Sequence, residues 1–209
     1  MKTIKNILSV LLLIATFFWV ISIENKKPIY DNTVVTDIDN GIQDIDGFLN
    51  LRNNYYKEIK VREKGGNNKG QRITEYLAVT NLDNEAQIKR TGSGYPWCAA
   101  FVASMLENSH MGGPRSAWSP TMATYNVIYS SKNPFHTFPV KPNNLVFGLY
   151  YKKLGRIGHT GFIDEIHEDY VITIEGNTGP DGERDGDGVH RKKRPKRSMY
   201  KISEYKLKS

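Results

Sequence analysis

The chain reads as an α+β domain, with helices first and an antiparallel sheet after them. Three observations carry this reading. Cys98, Phe101, Val102, Met105 and Leu106 fall at i, i+3, i+4, i+7 and i+8, one apolar stripe at the helical period. After Ser119-Pro120 the β-rich runs take over: Leu145 to Tyr151 (LVFGLYY), His159 to Ile166, and Tyr170 to Glu175 (YVITIE). The last two are joined by a polar turn near His167, as in a hairpin. Helices grouped ahead of strands, rather than alternating with them, belong to an α+β layering.

In chain order, Lys2 and Lys5 precede an uncharged apolar run from Ile7 to Ile23. A charged start before an apolar run is the pattern of an export signal. As a helix the run would span roughly 25 Å, a little short of a bilayer core. Residues 1–24 are therefore read as a signal peptide or a membrane anchor, with Val20 and Ser22 as a tolerable cleavage pair. Membrane contact is expected through residues 7–23. The rest of the chain is expected in the periplasm or cell envelope, held at the inner membrane if the leader stays. Residues 25–45 are polar and carry Asp31, Asp37, Asp39 and Asp44, which reads as a solvated linker. Residues 46–209 then form one domain of ordinary core size.

Within it a first helix is expected over Gly47 to Glu63, ending at Gly65-Gly66. A second, Gln71 to Thr80, follows the turn-rich Asn67-Asn68-Lys69-Gly70. The third begins beside Pro96, where a first helical turn tolerates proline, and is closed by Gly112-Gly113.

Composition narrows the function classes. Hydrophobic residues at 39% and charged residues at 24% argue against disorder along most of the chain. The single cysteine excludes an intramolecular disulfide and zinc sites built from several thiolates. The net charge of +7 fits an anionic partner. Much of that excess lies in Arg191 to Arg197 (RKKRPKR), read as a basic C-terminal face meeting an anionic wall or membrane. A single basic run without a nucleic-acid fold predicts no specific nucleic-acid partner. Asp181, Glu183, Asp185 and Gly186 imitate a calcium loop. Its twelfth position is Lys192, where a bidentate glutamate is required, so no metal and no cofactor are expected. His110, His136, His167 and His190 lack matching partners and read as surface or loop residues.

Export leaves the one thiol without a disulfide partner, and Cys98 falls in the first turn of the third helix. Unpaired N–H groups and the helix dipole there stabilise an anion and raise the thiolate fraction. A thiolate nucleophile needs a base, and the base needs a group to orient it. His159, between Gly158 and the nearby Gly161, is the best-placed imidazole. A hairpin centred near residue 167 sets residue 159 opposite 175, so His159 and Glu175 would be cross-strand neighbours. Asn177 lies one diagonal step further. A register error of one residue would put Glu175 on the other face.

These residues carry a resemblance. Tyr95-Pro96-Trp97-Cys98-Ala99-Ala100-Phe101-Val102, Gly158-His159-Thr160-Gly161-Phe162 and Ile174-Glu175-Gly176-Asn177-Thr178, in that order, resemble the CHAP family. These are the cysteine, histidine-dependent amidohydrolases/peptidases of the papain-like peptidoglycan hydrolase superfamily. The resemblance extends over about Tyr55 to Ser203. It implies a papain-like fold, Cys98 as nucleophile, His159 as base, and Glu175 with Asn177 as the orienting pair. It implies peptidoglycan as substrate, cut at the N-acetylmuramoyl-L-alanine amide or at a peptide bond. Tyr95 and Trp97 abut the nucleophile and are candidate cleft residues. One position departs: Asn143-Asn144 stands where such proteins usually carry Gly-Asp before the Leu-Val-Phe strand, which bears on that turn's geometry. Two other readings stay open, an acyltransferase using the same three groups and a non-catalytic basic module that binds the envelope.

Overall fold

A computed structural model describes residues 32–180 and 185–208, with side chains from residue 45 onward. The expected leader, residues 1–24, and the loop positions Asp181 and Glu183 lie outside the described residues. Residues Ile42–Ser209 form one compact unit.

The mixed α+β class is present. Helices α1 (Asn32–Lys57), α2 (Gln71–Ala78), α3 (Asn84–Thr91), α4 (Cys98–Asn108) and α5 (Ser119–Ala123) come first. Strands β1 (Val127–Ser130), β2 (Leu145–Tyr151), β3 (Arg156–Ile166), β4 (Tyr170–Thr178), β5 (Gly188–Pro195) and β6 (Lys201–Glu204) follow. They make one sheet in the order β1-β6-β2-β3-β4-β5, with every neighbouring pair antiparallel.

Three expectations about helices are corrected. The segment read as a linker is helical from Asn32 onward, and α1 stops at Lys57, short of Glu63. Val35, Ile38, Ile42, Ile45 and Leu49 recur at three- and four-residue steps, but aspartates and asparagines dilute the stripe. Helix α3 has no counterpart in the apolar pattern, because Asn84 is its one buried residue. Its signals are local: the Asp83 side chain accepts from the Ala86 N–H, and Gly92 closes it at φ 78°. Helix α4 is buried on all sides from Cys98 to Leu106, not along one stripe. Ala99, Ala100, Ala103 and Ser104 let α2, α5, β3 and β4 all approach it closely.

Side chains of successive strand residues point to opposite faces, and the two faces hold separate cores. Val146, Phe162 and Ile174 join the helices in a cluster with Tyr55, Tyr76, Trp97 and Phe101. Phe147, Leu149, Ile163, Val171, Met199 and Ile202 form a second cluster. Each fully buried aromatic in the first cluster contributes roughly 1.5–3 kcal/mol of transfer free energy.

The β3–β4 hairpin decides the site. Its pairs are Phe162↔Ile174 and Ile163↔Thr173, then, across a bulge, Glu165↔Ile172 and Ile166↔Val171. Asp164 is the extra residue on β3. Its buried carboxylate accepts from Arg52 Nε (2.8 Å), Tyr55 OH (3.0 Å) and Tyr56 OH (2.6 Å), so α1 satisfies the bulged position. The turn is centred between residues 168 and 169 rather than at 167, and the bulge takes one residue back, so the register at the site sits two residues from the expected one. Continued toward the site, it sets Gly161 opposite Glu175 and makes His159 and Glu175 a diagonal pair. A two-residue shift keeps both on the same face, where a one-residue shift would have parted them.

The basic run is also corrected. Gly188–Pro195 is an edge strand paired to β4, and alternation turns part of it inward. Lys192 is buried, with its ammonium donating to the Gly179 carbonyl. Arg194 reaches the inside of the site, while Arg191, Lys193 and Arg197 stay exposed.

Candidate active site

Cys98 is the first residue of α4, and no side chain caps that helix start. The turn before it is held rigidly. Trp97 is fully buried, stacks on Tyr76 at 5.6 Å between ring centroids, and donates its indole N–H to Glu63 Oε1 at 2.9 Å. The expectation that Trp97 lines the cleft is thus corrected: its ring anchors the nucleophile's turn in the core. Tyr95 does line the cleft.

Asn177 is corrected in role. Its Oδ1 accepts the Trp97 backbone N–H at 2.9 Å, and its Nδ2 donates to Asn68 Oδ1 and the Gly186 carbonyl, both at 3.2 Å. These bonds tie β4 to the turn that carries Cys98 and leave the imidazole to Glu175. Its φ of +56°, a left-handed value that asparagine tolerates, aims the side chain that way.

His159 and Glu175 are both wholly buried, and His159 Nε2 lies 2.8 Å from Glu175 Oε2. Gly161 makes this diagonal contact achievable. A Cβ there would stand 3.0 Å from Glu175 Cγ and 2.8 Å from the Ile174 carbonyl oxygen. The other imidazole nitrogen, Nδ1, is buried and has no hydrogen-bond partner among the described residues.

Two residues at the site escaped the sequence reading. Ser119 Oγ, at the start of α5, lies 3.3 Å from Cys98 Sγ. Its signal was the Ser119-Pro120 pair, read in the sequence as the boundary ahead of the strands and found here to start α5. Arg194 grips Glu175 with two bonds, Nε to Oε1 at 2.5 Å and Nη2 to Oε2 at 2.6 Å. Thr173 Oγ1 also donates to Oε1, at 2.5 Å. The alternation within RKKRPKR was the available signal for Arg194, once a strand is recognised there. Elsewhere, His167 pairs with Glu165 and His190 with Asp187.

The electrostatics follow from burial set against these partners. Burial would push the Cys98 thiol up. The His159 imidazole, the Ser119 hydroxyl and the Thr160 backbone outweigh it and hold the thiol below its ordinary value. Burial pulls His159 down, but Cys98 and then Glu175 raise it to about 9. Burial would raise Glu175, yet Arg194 and then His159 keep its carboxyl well below the usual carboxylate range. A lowered thiol and a raised imidazole favour the thiolate–imidazolium pair, beside a carboxylate neutralised from behind by the Arg194 guanidinium.

A cleft of ≈ 490 Å³ opens over Cys98. Tyr95, Trp118, Ser119 and Arg156 are among its lining residues. Among the described residues, no group of three or more His, Cys, Asp or Glu side chains is placed to hold a metal ion. Chemically, the arrangement is a thiol, an imidazole and a carboxylate gathered beside a cleft, the groups that nucleophilic catalysis needs. No protein-family model matches the chain, and neither curated proteins nor solved structures give a significant match.

Proposed function

We propose that the chain is an exported cysteine hydrolase that cleaves amide bonds of peptidoglycan through a thioester. One observation carries the reading most. The only thiol in the chain lies at an uncapped helix start, coupled to an imidazole whose other nitrogen is held by a buried carboxylate. The resemblance of the three motifs to the CHAP family supports peptidoglycan as the substrate and a papain-like arrangement of the domain. The apolar run at residues 7–23 supports export to the periplasm or envelope, with membrane contact if the leader is kept.

In the proposed reaction Cys98 thiolate attacks the amide carbonyl carbon, forming a C–S bond and a tetrahedral oxyanion. The N–H groups of the first turn of α4, which have no acceptor within the helix, are donors for that oxyanion. His159, as imidazolium, gives its proton to the departing amine as the C–N bond breaks, leaving a thioester. Water then attacks the thioester, with neutral His159 taking its proton. The carboxylic acid product leaves and the thiolate–imidazolium pair is restored. Glu175 holds the ring in one orientation through both proton transfers.

The test is digestion of purified sacculi by wild-type and Cys98→Ala protein, with mass spectrometry of the soluble fragments. Wild type is expected to release muropeptides carrying a new amine and a new carboxyl, and Cys98→Ala none. The fragment masses identify the bond cut, and newly cross-linked products would mark a transferase instead. Near-native release by Cys98→Ser would overturn the proposal.

A further inference from the structure

Arg156 opens β3, three residues ahead of His159, and Trp118 immediately precedes Ser119. The two elements that bring the imidazole and the hydroxyl to Cys98 thus also bring these two side chains together. The Arg156 guanidinium carbon stands 4.0 Å from the Trp118 ring centroid, and both residues line the cleft over Cys98. A guanidinium carries five N–H donors in a rigid plane. Nη1 of Arg156 donates to the Ile157 carbonyl at 2.9 Å. Stacking on an aromatic face fixes the plane, and the remaining donors belong to a side chain that lines the cleft.

The other charged lining residues differ from it. Arg115 is spent on Glu107 (2.6 Å) and on the Met111 carbonyl (2.5 Å). Asp185 has an interaction of its own. Among the described residues, no carboxylate forms an ion pair with Arg156. The cleft thus holds a pre-oriented cation whose fork matches two carboxylate oxygens.

We propose that Arg156, laid on Trp118, is a carboxylate-binding subsite, and that the substrate carries a free carboxylate close to the scissile amide. The second half rests on the hydrolase reading, while the subsite itself does not.

The full chain tests both halves. Iodoacetate and iodoacetamide alkylate the same Cys98 and differ by one negative charge. The ratio of their rate constants is expected to fall about five-fold from wild type to Arg156→Gln, the size of a half-exposed charge contact, and to be largely kept in Arg156→Lys. Because His159 is present in all three proteins, its preference for the anionic reagent cancels in the comparison. A ratio unchanged in Arg156→Gln overturns the subsite. In a second arm, soluble peptidoglycan stem peptides have each free carboxylate converted in turn to a carboxamide. One such change is expected to lower wild-type kcat/KM roughly ten-fold, and to cost nothing further in Arg156→Gln. Indifference to amidation, or faster cleavage after it, overturns the substrate assignment. A shifted alkylation ratio with no peptide cleaved by wild type upholds the subsite and sinks the hydrolase reading.

Discussion

Arg194 closes two nitrogens of its guanidinium on the carboxylate of Glu175, at 2.5 and 2.6 Å, with Glu175 wholly buried and the Arg194 side chain 13% exposed. The carboxylate that orients His159 is therefore half of a buried ion pair. Its second partner comes from a strand that reads in sequence as a basic tail.

Removing Arg194 leaves a buried charge without its counter-ion, which costs about 3–5 kcal/mol when such pairs are broken. Arg194→Gln is expected to lose stability on that scale in urea unfolding. Arg194→Lys should recover part of it, since an ammonium keeps the charge without the fork. Glu175→Gln/Arg194→Gln together should cost less than the sum of the single changes. A purely structural role ends there. A positioning role also moves the pH profile: without Arg194 the Glu175 charge acts on His159 alone, so the alkaline limb of activity shifts upward.

The thiol's reactivity should report the ion pair directly. Cys98 is held below its ordinary pKa chiefly by His159 against the effect of burial. Iodoacetamide alkylation of wild type is thus expected to stay fast well below pH 8. In His159→Gln burial dominates, and the rate at pH 7 should drop roughly ten-fold for each unit the thiol rises. At the other end, the proposed reaction predicts that activity falls as pH rises through about 9, where the imidazolium is lost. Equal alkylation profiles for the two proteins would contradict the coupling.

Stability should depend on pH with two limbs of opposite sign. Glu175 titrates lower when folded than the roughly 4.3 of an unfolded glutamate. Its contribution is present above that value and lost on acidification through the folded pKa. His159 titrates at about 9 when folded. The unfolded value is about 6.5, so its contribution is complete below that and lost as pH rises through the folded one. Cys98 titrates lower when folded, so its contribution grows as pH rises toward the roughly 8.5 of an unfolded thiol and offsets the His159 loss up to that point. Thermal unfolding across pH should therefore be highest between about 6.5 and 8.5. His159→Gln should flatten the alkaline limb and Glu175→Gln the acid one.

Asn177→Ala removes the acceptor of the Trp97 N–H and puts alanine at φ +56°. A loss of about 1–3 kcal/mol is expected for the buried donor left unpaired. The turn carrying Cys98 should loosen, lowering kcat, while the pH profile stays where it was. A shifted alkaline limb would instead return Asn177 to the imidazole. Asn177→Gly, which fits the same backbone without strain, separates the lost hydrogen bond from the lost conformation.

Much of this was legible in the residues. The extents of β2 and the start of α2 and α4 follow from apolar period and turn residues, which act within one segment. His159 and Glu175 were brought together from a register two residues out, and survived because side-chain direction repeats every two. The bulge at Asp164, which returns Glu175 to the face of His159, is satisfied through α1, more than a hundred residues earlier in the chain, and no local pattern announces it. Helix α3 was missed for the opposite reason, since its caps are local but its face is nearly all polar.

The sequence by itself determined that the protein has one thiol, that it starts a helix, and that an imidazole and a carboxylate share one face of a later hairpin. Those are matters of residue identity and of periods that run within a single element. Only the tertiary structure decided that Trp97 is a core anchor, that Asn177 serves the turn, that Arg194 neutralises Glu175, and that Arg156 lies on Trp118 in the cleft. Each depends on pairing between distant segments, where one bulge or one strand's alternation chooses which of several equivalent polar side chains turns inward.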